Sequence, residues 1–115
     1  MFSSTPLILI HHRGATSEVE RVTPLVCTPR GDGRYVIVAS NGGSPIHPSW
    51  YYNLKANPRI EVEVGVETFF VRAEEVAGAE RAEQWASLTA DSSALREFET
   101  TASRSIPVFV LTREP

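Results

Sequence analysis

Residues 60–73 read Ile-Glu-Val-Glu-Val-Gly-Val-Glu-Thr-Phe-Phe-Val-Arg-Ala and carry the clearest periodicity in the chain. Apolar and acidic side chains alternate here, as is typical of a strand with one buried and one solvated face. The alternating positions are Ile60, Val62, Val64 and Val66 against Glu61, Glu63 and Glu67. Gly65 indicates a bulge or bend, after which a second strand is predicted over residues 68–73.

The segments on both sides of this stretch extend the β pattern. Residues 6–12, 21–28 and 35–39 are rich in Leu, Ile and Val and are separated by polar or glycine-containing loops, so each is predicted to be a strand. Residues 35–39 are continuously apolar, which is expected of a strand covered on both faces. Pro29 and the glycines that follow it predict a turn, and residues 106–111 predict a last strand.

Three segments show helical signals instead. A short helix with Trp50 and Leu54 on one face is predicted, and Ser44 or His47 is expected to cap its start. Residues 78–89 and 95–102 place apolar side chains at helical spacing. Because these helices do not alternate regularly with the strands, the order favours a mainly β fold in which six antiparallel strands close into a small barrel.

Length and composition fit one domain, residues 1–115. The chain contains no linker or repeat, and a chain of 115 residues supports a single core. No apolar run approaches the ~18 residues of a membrane helix, so no membrane span is expected. Residues 7–10 lack both the basic flank and the cleavage site of a signal peptide, so a cytoplasmic protein is expected.

Charge and rare residue types exclude several classes of function. The net charge of −3 includes no basic block, so no nucleic acid partner is expected. Cys27 is the only cysteine, which excludes an internal disulfide and a zinc site of several thiolates. His11, His12 and His47 lack the spacing of a helical zinc pair, so no metal is expected. Of His11 and His12, one ring is expected to pack inward while the other faces water.

Residues 40–58 form the most unusual segment: Ser-Asn-Gly-Gly-Ser-Pro-Ile-His-Pro-Ser-Trp-Tyr-Tyr-Asn-Leu-Lys-Ala-Asn-Pro. It follows an apolar strand and leads into a helix, and its paired glycines let the backbone approach another group closely. A strand, a glycine turn and a helix start in this order can direct backbone amides at an anion.

This segment resembles the signature of the deazaflavin-dependent nitroreductase family. Residues 21–25, Arg-Val-Thr-Pro-Leu, and residues 104–108, Arg-Ser-Ile-Pro-Val, resemble two further strands of that family, so the resemblance covers nearly the whole chain. It implies a split β-barrel related to flavin-nucleotide oxidases. It also implies that the chain binds coenzyme F420, or alternatively FMN, and transfers hydride from the reduced deazaflavin to a small organic acceptor such as a quinone, nitro compound or enone.

The resemblance also implies a set of site residues. The candidate cofactor-binding residues matched to the family are Arg21, Pro24, Ser40, Asn41, Gly42, Gly43, Trp50 and Asn53. Arg13 and Ser17, beside and within the loop after the first strand, are further candidates, with Arg13 able to replace part of the charge of the family's lysine. Ser40 and the backbone amides near Gly42 are the candidate hydrogen-bond donors, and Trp50 is a candidate pocket wall, so Ser40 and Trp50 are the candidate catalytic residues. Structural roles are the alternative: Arg21 as an exposed strand charge, Trp50 as core packing and Asn53 as helix support.

Departures from the family pattern keep other functions open. Thr16 and Asn41 stand where the family usually has lysine, and Ser92, Leu95 and Phe98 stand where nitro-reducing members carry tyrosines. The alternatives are a barrel that binds F420, a flavin or an apolar ligand without turnover, and a structural homodimer with a decayed cofactor site.

Overall fold

The computed structural model describes residues 6–90 and 92–115, and within them seven strands and three helices are present. The strands are β1 (Leu7–Arg13), β2 (Glu20–Val26), β3 (Thr28–Gly31), β4 (Arg34–Val38), β5 (Arg59–Val64), β6 (Glu67–Glu75) and β7 (Val108–Arg113). The helices are α1 (Ser49–Ala56), α2 (Gly78–Ala90) and α3 (Ser93–Ala102), and a single 3-10 turn covers Asn41–Gly43.

The strands form one antiparallel sheet in the order β2-β1-β5-β6-β7-β4-β3. Strands β2 and β3 lie at opposite edges of this order, yet only Cys27 separates them along the chain. One residue spans at most about 3.6 Å, so the sheet must curl until its two edges nearly meet. The result is a barrel with a split between β2 and β3, and the predicted mainly β, split-barrel class is confirmed.

The inside of the curled sheet holds the main core. Ile60 and Val62 are buried while Glu61 and Glu63 point to the other face, which confirms the alternation predicted for β5. Helix α1 contributes Trp50 and Leu54 to the same core, together with the buried members Ile8, Ile10, Cys27, Ile37, Ala39, Phe69, Val71, Ala73, Phe109 and Leu111. Val66 breaks the predicted pattern, because it lies fully exposed in the turn between β5 and β6.

A second apolar cluster lies on the other face of β4 and β7. Val36 and Val108 are buried there under Trp85 and Leu88 of α2, whereas Ile37 faces the main core. Strand β4 is therefore covered on both faces, as its continuous apolar sequence predicts.

The seventh strand was not predicted from the sequence. Residues 21–28 divide at Cys27, whose backbone amide donates to the Pro6 carbonyl at 3.0 Å, and β3 then continues through Pro29 to Gly31. The turn is shorter than predicted and consists only of Asp32 and Gly33, with φ of 55° and 72°. Two consecutive positive φ values are typical of a two-residue hairpin turn, for which Asp-Gly is a favoured pair. The hairpin adds a strand where the sequence predicted only a turn.

The start of α1 also differs from the prediction. Its N-cap is Pro48, which is extended and caps the helix with no side-chain hydrogen bond. The Ser44 hydroxyl instead accepts from the Ile46 amide at 3.3 Å, and His47 accepts from Arg104. Proline suits this position because it has no amide that would need a partner.

His11 links three strands through two carboxylates. Its Nδ1 lies 3.1 Å from Glu20 Oε2, and its Nε2 contacts Glu63 on β5. The hydrogen bond to Glu63 raises the pKa of His11, and Glu20 raises it further against the opposing effect of burial. His11 is thus half-buried and paired, while His12 is the inward ring.

Replacing His11 by Gln is expected to cost stability in a pH-dependent way. Folding raises the pKa of His11, so its stabilisation is complete below the ordinary value of 6.5 and disappears as pH rises through the folded-state pKa. Urea unfolding should show a wild-type advantage of up to about 1 kcal/mol near pH 6 that shrinks by about pH 9. His47→Gln is the control, because burial lowers the pKa of His47, and its trend with pH should be opposite.

Candidate functional site

The glycine segment after β4 forms a tight left-handed turn. Ser40 is right-handed helical, and Asn41, Gly42 and Gly43 follow with φ of 48°, 63° and 86°. A right-handed residue followed by left-handed ones gathers successive N–H groups into a concavity that suits an anion. Asparagine tolerates this backbone conformation better than most non-glycine residues. The backbone of Ser40, Asn41 and Gly42 is therefore compatible with the predicted amide-presenting turn, and anion binding there stays a prediction.

Gly43 has a packing role instead. Its amide donates to the Ser40 carbonyl at 2.9 Å, so it is not available to a ligand. A Cβ on Gly43 would lie 3.1 Å from Phe98 Cδ1, whereas a Cβ on Gly42 would meet nothing within 4 Å. Gly43 thus lets the turn sit directly on α3, and Gly42 remains exposed.

The side chain of Arg104 binds the backbone of this turn. Its guanidinium donates to the backbone carbonyls of Ser44 at 3.1 Å and of Ala39, Ser40 and Ile46 at 3.2 Å. It also donates to His47 Nδ1 at 3.1 Å. The charge of Arg104 and the burial of the ring lower the pKa of His47, with burial the larger effect. His47 therefore serves as a neutral acceptor stacked on Tyr51, at 4.2 Å between ring centroids.

A buried network connects α1 to the loop after β1. Asn53 Oδ1 accepts from the Ala15 amide at 2.9 Å, which leaves Asn53 Nδ2 to donate to His12 Nδ1 at 2.9 Å. His12 must then carry its proton on Nε2, which donates to Thr23 Oγ1 at 2.8 Å. Burial lowers the pKa of His12, and nearby Arg21 lowers it further, so the ring is neutral. Asn53 thereby positions the loop that contains Thr16 and Ser17.

A cavity of about 850 Å³ opens at the split of the barrel. Strands β2, β3 and β4 form one side and helices α2 and α3 the other. Its lining includes Pro24, Leu25, Cys27, Arg30, Val36, Val38, Ser40, Ser87, Leu88, Ser92, Leu95 and Phe98. This volume is in the range of pockets that hold small molecules and cofactors.

The cavity contains only part of the predicted site. Pro24 and Ser40 line it, as do Ser92, Leu95 and Phe98, the three residues at the family's tyrosine positions. Another group of predicted residues is exposed outside the lining: Arg13, Ser17, Arg21, Asn41 and Gly42.

Trp50 and Asn53 do not line the cavity. Trp50 is 5% exposed and packs on Phe109 in the main core, with ring centroids 5.8 Å apart. Asn53 is 6% exposed and committed to the network with His12. Trp50 thus takes the core-packing role named as its alternative, since the apolar face of α1 turns inward, and a cofactor contact at Trp50 stays a prediction. Asn53 supports the site indirectly, through the loop at Ala15.

The sequence did not predict that Arg104 and His12 organise this region or that Arg30 lines the cavity. Arg104 stood within a recognised motif, yet its carbonyl partners lie about 60 positions away along the chain. His12 carried a weak signal as the inward member of a histidine pair. Arg30 carried none, since it falls in a segment predicted to be a turn.

Residues 6–90 and 92–115 contain no group of three or more His, Cys, Asp or Glu side chains that could hold a metal ion. No helix in these residues is long and apolar enough to cross a membrane.

A curled antiparallel sheet with a ligand-sized cavity at its split defines the split-barrel class. The family model of the F420H2-dependent quinone reductases matches residues 1–113, and the chain belongs to this family. An F420H2-dependent quinone reductase of Mycobacterium tuberculosis is 42% identical over 112 residues, which cover 94% of this chain and 74% of that protein. The resemblance found in the sequence is thereby confirmed.

Two solved structures are similar at 38% identity. An F420-H2 dependent reductase superposes with a TM-score of 0.81 over 92% of this chain and 93% of that chain. A structure described as a domain-swapped dimer has the same TM-score over 92% of this chain and 79% of its own.

Asn53→Leu is expected to lower the free energy of unfolding by about 2 to 4 kcal/mol, because it leaves the buried His12 Nδ1 and the Ala15 amide without partners. Urea unfolding measures the loss, and hydrogen exchange at the Ala15 amide should accelerate. Asn57→Leu is the matched control, since Asn57 is an exposed asparagine at the C-cap of α1. Equal losses in both variants would contradict the network.

Proposed function

We propose that this chain is an F420H2-dependent reductase that transfers hydride to a small organic acceptor of the quinone class. The supporting observation is the cavity, whose wall includes Ser40, directly joined to the left-handed turn at Asn41 and Gly42. Family membership makes F420 the expected cofactor and quinones the expected acceptors. The lone buried thiol of Cys27 agrees with a cytoplasmic enzyme.

The residues present fit a bound deazaflavin. The cavity volume of about 850 Å³ accommodates a planar ring system, and Pro24, Leu95 and Phe98 supply apolar contact surface. The concavity at Ser40, Asn41 and Gly42 suits an anionic group. Arg21 is exposed three residues before Pro24 along β2, about 10 Å at the rise of a strand, which is within reach of a phosphate-bearing tail.

The protein's own contribution is positioning and exclusion of water. When bound, reduced F420 supplies the hydride, so the side chains need only orient ring and acceptor. Ser40 offers a hydroxyl at the cavity wall for an oxygen that gains negative charge. Burial raises the pKa of Cys27, so this wall residue stays a neutral thiol and provides no charge of its own. Trp50 has no catalytic role in this proposal.

A second candidate function is binding without turnover. Thr16 and Asn41 replace two lysines of the family pattern, and both residues are exposed and uncharged. Each charged hydrogen bond lost at a wet surface costs little, but two such losses weaken the hold on an anionic tail. Titration with F420, FMN and FAD, followed by acceptor-dependent oxidation of the reduced F420 complex, separates the two functions: saturable binding without oxidation supports the binder.

Arg21→Ala is expected to weaken F420 binding about tenfold and to leave the free energy of unfolding nearly unchanged, because Arg21 is an exposed charge that contacts the anionic tail. Fluorescence titration with F420 measures the dissociation constant. Arg72→Ala is the matched control, an exposed strand arginine on β6 that does not line the cavity. An unchanged dissociation constant in Arg21→Ala would refute this role.

A homodimer is also proposed for this chain, with the outer face of β1 and β2 as its interface. Leu7 and Val22 are 60% and 50% exposed, and Val26, which pairs with Leu7 and also lines the cavity, is 58% exposed on the edge strand. An unpaired edge with exposed apolar side chains is a ready surface for a second copy. The similar structure described as a domain-swapped dimer supports this proposal.

The double variant Leu7→Glu, Val22→Glu is expected to be monomeric at concentrations where the wild type is a dimer, because two buried acidic side chains per protomer would oppose association. Sedimentation equilibrium gives the masses. Val66→Glu should remain dimeric, since Val66 is a fully exposed valine in the turn between β5 and β6. A monomeric wild type would sink the dimer proposal.

A further inference from the structure

Arg30 occupies an irregular position on the edge strand β3. Pro29 pairs with Tyr35 and Gly31 pairs with Arg34, so the register shifts and Arg30 is the extra residue of a β-bulge. A bulge leaves one residue outside the ladder and redirects its side chain, and bulges are frequent beside active sites. Here the side chain of Arg30 reaches Gln84 on α2, and Arg30 is one of the residues that line the cavity.

The guanidinium of Arg30 is only partly satisfied. Its Nε donates to Gln84 Oε1 of α2 at 3.0 Å. Its Nη2 is buried and has no hydrogen-bond partner within residues 6–90 and 92–115. A buried, unpaired nitrogen on a permanent cation is costly, and such a group needs an acceptor to offset the loss of water.

Arg30 is the one charged side chain among the described residues that line the cavity. It lies beside Tyr35 on β4, while Ser40 follows five residues beyond Tyr35. At about 3.3 Å per strand residue, Arg30 and Ser40 are roughly 15 to 20 Å apart. The cavity therefore has a polar turn at one end and an isolated cation at the other, with Leu88 and Leu95 among the apolar residues of its walls.

We propose that Arg30 is a specificity-determining residue that binds an anionic oxygen of the acceptor, so that planar quinone-type acceptors bearing a carboxylate are preferred over neutral ones. This proposal rests on the proposed function of the cavity as the site of hydride transfer. The guanidinium is always charged and presents several donors in one plane, which matches a carboxylate. The anionic tail of the cofactor could offer Arg30 the same kind of oxygen. The proposed function assigns that tail to Arg21 and the turn at Asn41, at the opposite end of the cavity.

Calorimetric titration without cofactor tests the assignment with two probes, an anthraquinone carboxylate and the matching neutral carboxamide. The wild type should bind the carboxylate about tenfold or more tightly than the carboxamide. Arg30→Met should remove this preference, and Arg30→Lys should restore part of it. Arg34→Met is the matched control, because Arg34 is an exposed arginine on the neighbouring strand and does not line the cavity.

Three outcomes would overturn the proposal, provided that unfolding curves show each variant folded. The first is equal binding of the two probes by the wild type, and the second is an unchanged preference for the carboxylate in Arg30→Met. The third is a tenfold weakening of F420 binding in Arg30→Met without any effect on the probes, because that result would assign Arg30 to the cofactor. A wild type that prefers the carboxylate but does not bind F420 would support the role of Arg30 and contradict only the reductase proposal.

Discussion

The contact between the Arg104 guanidinium and the backbone carbonyls of the glycine segment is the interaction on which the site depends. Four carbonyl oxygens and His47 Nδ1 converge on one cation, which fixes the chain from Ala39 to His47. A turn that contains two glycines has many accessible backbone conformations, so contacts from elsewhere must select one of them. Arg104 supplies that constraint from the connection between α3 and β7, so a residue next to the last strand restricts the shape of the glycine turn.

The cavity exists because the two edges of the sheet do not join by hydrogen bonds into a complete barrel. Strands β2 and β3 are consecutive, yet they occupy opposite edges, and the space between them is covered by α2 and α3 instead of by hydrogen bonds. Leaving this opening costs packing, which a family that binds a planar cofactor recovers when the ligand is present. The bulge at Arg30 and the close approach of Gly43 to Phe98 shape the two ends of the opening.

The structure shows what the residues that differ from the family pattern do physically. Asn41, in place of a lysine, has φ of 48°, a conformation that asparagine adopts with little strain. Charge is lost there, but the geometry that presents the amides is retained. Ser92, Leu95 and Phe98 line the cavity where nitro-reducing relatives carry tyrosines, so this wall is less polar and suits an apolar ring.

The sequence by itself determined the fold class, the strands of the Ile60–Val62 alternation, the two-sided burial of β4, the helices and the glycine turn, because these depend on local periodicity and backbone preference. It also determined the family, through the residues around Ser40 and Arg21. Only the tertiary structure decided that Trp50 belongs to the core, that Asn53 bonds to His12, that Arg104 binds the backbone of the glycine turn and that Arg30 lies in a bulge beside the cavity. These roles depend on sheet register and on contacts between residues far apart in the chain, and a bulge or a buried guanidinium leaves no periodic trace in the sequence.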